Sequence, residues 1–161
     1  MNNSSPNPRL RKKFLWLTAA LVGLVAFAAW KTRTGTPSFL DVNGVLVPNS
    51  ISEERTMVLG DVEQHVLLRG KDKTNPLLVF VHGGPGFSTT AFLRTNNAAL
   101  EDDFVVAYWE QRGTLNSFDP KLDSADMTIE QMTADLSELI DALLAEFGQE
   151  QVILFCSNFF Y

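Results

Sequence analysis

Residues 76–86 read PLLVFVHGGPG, and no other stretch constrains the fold as tightly. Leu77 to Val81 are five consecutive apolar residues, too few for a helix and without the polar alternation of a half-exposed strand. Such a run is the signature of a parallel strand buried on both faces. It ends abruptly in His82-Gly83-Gly84-Pro85-Gly86. In open α/β sheets ligands gather at the carboxyl ends of the strands, where this loop falls. Its glycines let backbone amides approach a reacting oxygen without side-chain obstruction. Fixed amides of that kind stabilise an oxyanion, each contributing roughly 2.7–4 kcal/mol. A tight turn is the plainer alternative. A phosphate loop is disfavoured because the Lys-Ser/Thr of a Walker motif is missing.

The surrounding pattern repeats the strand–loop theme. Met57-Val58-Leu59 and Val62 to Leu68 flank Gly60-Asp61, a pair suited to a hairpin turn. Lys71 to Pro76 reads as a polar loop, Ser88 to Leu100 as a weak helix, and DFVVAYWEQRG as a second buried strand entering a polar loop. The clearest helix follows. Thr128 is placed as its N-cap with Gln131 completing a capping box, and Gly148 is placed to end it. Met132, Leu136, Leu139, Ile140, Leu143 and Phe147 form its apolar stripe, with Asp135, Glu138 and Asp141 assigned to the opposite, solvated face. QVILF then supplies another strand. A hairpin followed by strand, helix, strand, helix, strand predicts an α/β domain built on a largely parallel sheet.

Ahead of this body lies a different kind of sequence. Six cations (Arg9, Arg11, Lys12, Lys13, Lys31 and Arg33) precede the first acid. The remaining seven Lys/Arg face nineteen Asp/Glu, a formal charge of −12. That balance argues against nucleic acid as a partner, because phosphate binding needs cations. Residues 1–13 read as a basic cytoplasmic tail and 14–30 as an uncharged apolar run, about 25 Å long as a helix. The run suits a transmembrane anchor, with Trp16 and Trp30 near its ends. Ala26-Phe27-Ala28 also fits a cleavage site, which would make it a signal peptide and the body a secreted protein. Continuation of the run to Trp30 favours the anchor. The positive-inside bias then predicts a single-pass membrane protein with an extracytoplasmic body. Residues 31–50 read as a linker. The lone Cys156 excludes an internal disulfide and a Cys-rich zinc site.

Taken in order, these motifs resemble the α/β-hydrolase fold, and within it the proline iminopeptidase-like serine peptidases. PLLVFVHGGPG is similar to that family's third strand and oxyanion loop, and VVAYWEQRGTLNSF to its fourth strand and Asp/Glu-Gln-Arg-Gly-x-Gly-x-Ser loop. MTIEQMTADLSELIDAL resembles the helix leading to the nucleophile strand. The resemblance covers residues 51–154. It implies serine acyl transfer on a peptide or other small acyl substrate, with no metal or cofactor. Gly83, with Gly84, would donate an oxyanion amide, as would Asn158. His82, Pro85, Gly86, Glu110, Gln111, Arg112 and Gly113 would be structural members of the motifs, so His82 is not the base. Leu115-Asn116 stand where the family has Gly-x. His65 has no counterpart and reads as a partly exposed strand residue.

The nucleophile position is less regular. By register Phe155-Cys156-Ser157-Asn158-Phe159 fills the slot of a Gly-x-Ser-x-Gly elbow, which makes Ser157 the candidate nucleophile. Phenylalanines at both glycine positions should crowd such a turn. Taking Cys156 instead puts Leu154 and Asn158 there, which fits little better. A serine needs a base, and the base an orienting carboxylate. The family order is Ser, Asp/Glu, His, yet only four residues follow Ser157 and none is acidic or histidine. Residues 51–161 are therefore expected to be the N-terminal part of a hydrolase domain, truncated and inactive alone, with Ser157 matching by chance. A peptidase, a hydrolase of non-peptide esters or amides, and a non-catalytic membrane-anchored binding protein remain the alternatives.

Overall fold

The computed structural model describes residues 17–19, 21–23, 36–83 and 88–157. Two units separate at Gly35 and Thr36. In the first, residues 17–19 and 21–23 are helical; the remainder of the basic tail and of the 14–30 segment lies outside the described residues. Among the described residues no helix is long and apolar enough to cross a membrane.

The second unit is a five-stranded mixed sheet with helices on both faces. Strand β1 (Ile51–Leu59) and strand β2 (Val62–Gly70) form the expected hairpin. Its turn residues Gly60 and Asp61 take φ of 53° and 61°. Positive φ at both central positions is what a tight hairpin turn demands, and it explains a glycine beside an aspartate there. Strands β3 (Leu77–Val81), β4 (Val105–Glu110) and β5 (Val152–Cys156) follow, giving the spatial order β1-β2-β4-β3-β5. The β3 strand runs parallel to both β4 and β5, whereas β2 joins β4 antiparallel. The parallel sheet read from the sequence is thus one side of a mixed one, and the hairpin forms the other.

Helices α1 (Thr90–Asn97) and α2 (Leu100–Asp103) link β3 to β4, and α3 (Ile129–Phe147) links β4 to β5. The period-2 alternation of β3 and β4 divides their side chains between two cores. Leu77, Val79, Val105, Ala107 and Trp109 pack with Leu139 and Leu143 of α3. Leu78, Phe80, Val106 and Tyr108 pack with Leu93 of α1 on the other face. A fully buried leucine contributes roughly 1.5–3 kcal/mol, so Leu139 and Leu143, with Leu136, Leu144 and Phe147 packed beside them, anchor α3 on the sheet.

Two sequence expectations for α3 change. Thr128 is the N-cap and accepts the Gln131 N–H at 3.1 Å. The Gln131 side chain does not return to the cap; it donates instead to Asp135 Oδ1 at 2.9 Å, so only half of a capping box forms. Asp135 is fully buried rather than solvated, because it lies one and two turns before Leu139 and Leu143 on the inward stripe. Gly148 ends the helix at φ 62°, as expected.

Residues 36–50 are tied to the body. Arg69 Nη1 donates to Thr36 Oγ1 and, at 2.7 Å, to the Pro37 carbonyl, while its guanidinium lies 4.5 Å over the Phe39 ring. Leu40 and Leu46 form a short antiparallel bridge around a turn at Asp41–Gly44.

Candidate active site

The two motif loops meet at the carboxyl ends of β3, β4 and β5. Ser157 reaches the same place: its backbone N–H donates to the Val81 carbonyl at 3.0 Å, continuing the β3–β5 ladder by one bond. His82 and Gly83 leave β3 immediately beside it. Gly84, Pro85, Gly86 and Asn158 lie outside the described residues, as does Phe159.

His82 is buried and held by one neighbour. The Gln111 backbone N–H donates to His82 Nε2 at 3.2 Å, and the Gln111 side-chain amide donates to the His82 carbonyl at 2.6 Å. An Nε2 that accepts a hydrogen bond leaves the proton on Nδ1. Nδ1 is buried without a hydrogen-bond partner among the described residues. Burial pushes the His82 pKa below the usual imidazole value, opposed by the Gly83 backbone and the Glu110 carboxylate. His82 is therefore a neutral member of the loop scaffold, in keeping with its motif.

The second loop is braced throughout. Glu110, itself buried, accepts the Asn116 N–H at 3.0 Å on one oxygen and the Ser88 hydroxyl at 3.2 Å on the other. The Ser117 hydroxyl donates to the Glu110 carbonyl at 2.5 Å and accepts the His65 N–H at 2.7 Å. Gly113 takes φ 76°. Leu115, at the position where the family has glycine, takes φ 32°. The loop thus keeps a backbone geometry made for glycine while carrying a leucine there.

Arg112 turns away from the opening and into the protein. It forms a bidentate pair with Asp135, Nε to Oδ2 at 2.6 Å and Nη2 to Oδ1 at 2.7 Å. Gln64 Nε2 donates to Asp135 Oδ2 at 2.6 Å, and Trp109 Nε1 donates to Gln64 Oε1 at 2.9 Å. With Gln131 on Oδ1, each carboxylate oxygen accepts two bonds, the condition under which a buried carboxylate is tolerated. Sequence reading assigned Arg112 to the loop but missed Asp135, Gln64 and Trp109 as its supports. The signal was present in the four-residue spacing of Asp135, Leu139 and Leu143.

Ser157 itself has no partner for its hydroxyl: Oγ is buried and makes no hydrogen bond among the described residues. Neither histidine of the chain supplies a base. His82 is engaged through Nε2 by Gln111. His65 faces Glu110 across β2 and β4, its Nδ1 3.7 Å from Glu110 Oε2. Three strand spacings separate β2 from β5, about 14 Å, far beyond proton-transfer reach. Phe155, at the first elbow-glycine position, is half-exposed, and its ring meets Phe80 edge-on at 4.9 Å. No group of three or more His, Cys, Asp or Glu among the described residues is arranged to hold a metal.

The strand order, the mixed sheet and the two glycine loops on its carboxyl edge define an α/β-hydrolase fold. The chain is 33% identical to the probable aminopeptidase YbaC of Bacillus subtilis (strain 168) over 105 residues, 65% of this chain and 33% of that protein. Among solved structures it is similar to the proline iminopeptidase-related protein of Thermus thermophilus, at 28% identity and a TM-score of 0.57. That match covers 66% of this chain and 36% of the other. Epoxide hydrolase A of Mycobacterium thermoresistibile matches at 27% identity and a TM-score of 0.53, over 67% and 32%. The chain spans about a third of the length of the curated relative it matches. No family model matches it.

Proposed function

We propose that this chain is the N-terminal part of a serine hydrolase of the proline iminopeptidase-like type, an aminopeptidase acting on N-terminal peptide bonds. One observation carries the reading: His82 and Gly83, which open the HGGPG motif, the Glu-Gln-Arg-Gly loop, and a serine whose buried hydroxyl has no partner among the described residues stand side by side at the ends of three parallel strands. Two of the similar proteins carry peptidase names, an aminopeptidase and a proline iminopeptidase-related protein, and favour a peptidase, while epoxide hydrolase A shares the hydrolase fold. In this chemistry a serine at the position Ser157 occupies attacks the acyl carbon, amides at the positions of Gly83, Gly84 and Asn158 hold the oxyanion, the amine leaves, and water then hydrolyses the acyl-enzyme. A base and its carboxylate, which the 161 residues do not supply near Ser157, take the serine proton and deliver it to the leaving amine. Residues 14–30 hold the chain in a membrane with the body outside the cytoplasm.

Reading the gene onward from codon 161 in all frames, expressing the completed protein and treating it with a fluorophosphonate probe tests this reading. Stoichiometric labelling of an elbow serine, together with release of N-terminal proline from a chromogenic substrate, is expected. The 161-residue chain should remain unlabelled. Labelling with ester but no peptide turnover would move the assignment to an ester or amide hydrolase. A continuation without Asp and His, and no labelling, would leave a binding protein.

A further inference from the structure

The loop that carries Gln111 into the candidate site is held from elsewhere in the fold. Gln111 and Arg112 are adjacent and point to opposite tasks: Gln111 grips His82 through its backbone N–H and its side-chain amide, and Arg112 grips Asp135. Arg112 is 2% exposed and Asp135 0%, and the pair is closed off by Gln64, Gln131 and Trp109. The hairpin tip seals the remaining side, with Gly60 donating its N–H to Glu138 at 2.8 Å and its carbonyl accepting from Arg112 at 3.3 Å. Asp135 belongs to α3, a helix that supplies none of the proposed reacting groups.

We propose that Asp135 is a positioning residue for the oxyanion corner: through Arg112 it sets the 110–113 loop, and through Gln111 that loop holds His82 in one tautomer and fixes the exit of the Gly83 amide.

A bidentate guanidinium–carboxylate pair fixes orientation as well as distance, so Arg112 cannot rotate without breaking two charge-assisted bonds. Anchored at its guanidinium, Arg112 keeps its own backbone within reach of Asp135, and only the φ and ψ of Gln111 separate that anchored peptide unit from the one carrying the Gln111 N–H. Release at Asp135 is therefore felt at His82, whose Nε2 and carbonyl lose their shared donor. That His82 carbonyl belongs to the peptide unit whose N–H is the Gly83 amide, the group that would face an oxyanion. The catalytic meaning of the relay rests on the serine-hydrolase reading; the coupling from Asp135 to His82 does not.

The test uses the full 161-residue chain, labelled with 15N-histidine, whose two histidines are told apart with the His65→Gln variant. In the parent chain, long-range proton–nitrogen NMR should show His82 neutral, protonated on Nδ1, with a midpoint below the ordinary imidazole range. In Asp135→Asn the Nδ1–H tautomer of His82 should give way to a mixture and its midpoint should move up. Asp135→Asn also leaves Arg112 a buried unpaired cation and is expected to cost stability. The Arg112→Met/Asp135→Leu double variant removes both charges together and tests the same coupling without that burden. His82 signals unchanged in either folded variant would overturn the relay. A changed His82 in a protein that, once completed, shows no fluorophosphonate labelling would keep the relay and remove the hydrolase reading.

Discussion

The sheet carries a buried arginine–carboxylate pair at each pole, and the two are built differently. At the carboxyl ends of the parallel strands, Arg112 meets Asp135 through two bonds, and among the described residues the carboxylate pairs with no other cation. At the amino ends, Arg69 Nε meets Glu101 through one bond of 2.7 Å. There Glu101 also accepts the Tyr108 hydroxyl at 3.0 Å and has Arg94 at 3.9 Å, while Arg69 spends Nη1 on Thr36, Pro37 and Ser52. Burial, with Glu101 beside it, raises the Tyr108 pKa, so the phenol remains a donor. The first pair is a closed lock on a loop of the candidate site. The second is a distributed clamp that holds an entering segment. A lock fails when one partner goes; a clamp fails by degrees.

The largest effect should come from removing each arginine in turn. Arg112→Ala strands Asp135 as an uncompensated buried charge and is expected to cost roughly 3–5 kcal/mol. Arg69→Ala leaves Glu101 with Tyr108 and Arg94, and should cost roughly 2–3 kcal/mol, near the value of its charge-assisted bonds. Urea midpoints at constant m-value measure both. Limited proteolysis should find residues 36–50 newly cleavable in Arg69→Ala but not in Arg112→Ala. Equal losses would erase the distinction between lock and clamp.

Next in size is a substitution that touches the lock without removing a member. Gly60 takes φ 53°, and a Cβ there would fall on Asp135 Oδ1 and Gln131 Nε2 and lie 2.6 Å from Arg112 Nη2. Gly60→Ala should cost roughly 2–4 kcal/mol, from left-handed strain and overpacking together. The hairpin tip packs on the lock and not on the clamp, so the same variant should leave proteolysis of residues 36–50 unchanged. A neutral Gly60→Ala would mean that the lock is looser than its bond lengths state.

A smaller, pH-dependent effect should separate the site pole from the rest. His82 has a folded pKa below its ordinary value of 6.5, chiefly through burial. In the unfolded chain it takes up a proton at higher pH than in the folded one. Its contribution is present above pH 6.5 and is lost as pH falls below that value toward the folded pKa. The fall in melting temperature between about pH 7 and pH 5 should be shallower in His82→Asn than in the parent, whatever the offset between them. Identical slopes would show that His82 does not titrate against its burial.

How much of this was legible depends on which residues speak locally. Leu77–Val81 ending in glycines, the Gly60-Asp61 turn, and Thr128 and Gly148 bounding α3 each carry their conformation in their own chemistry, and all stand where expected. Asp135 did not, because a carboxylate on a helix is usually solvated and its partners lie 4, 23 and 71 residues away. The placement of Arg69 over Phe39 was hidden for the same reason: residues 36–39 are rich in turn formers, and only the folded sheet brings a cation to them. His65 lies part-buried on β2, where the sequence placed it, three strands away from β5. Sequence reading was strongest where neighbours along the chain decide the geometry, and weakest where a buried charge decides it.

The smallest predicted effect is a gain. Leu115 holds φ 32° on a turn of the site loop whose flanks are fixed by Gly113 N–H to the Ser117 carbonyl at 3.0 Å and by Asn116 N–H to Glu110. Its side chain is 66% exposed, so little packing is lost on its removal. A non-glycine residue in the left-handed region is strained by roughly 1–2 kcal/mol. Glycine relieves that strain but loses about 0.5–1 kcal/mol to the greater freedom of its unfolded state. Leu115→Gly should therefore stabilise the chain by about 0.5–1 kcal/mol, read as a small rise in the urea midpoint. Because the strain sits on the loop that Arg112 locks, the gain should shrink in Arg112→Met/Asp135→Leu, where the loop is free to relax on its own. An equal gain in both backgrounds would mean that the strain of Leu115 is held by the loop's own hydrogen bonds, and that the lock sets Gln111 without setting the residues beyond it.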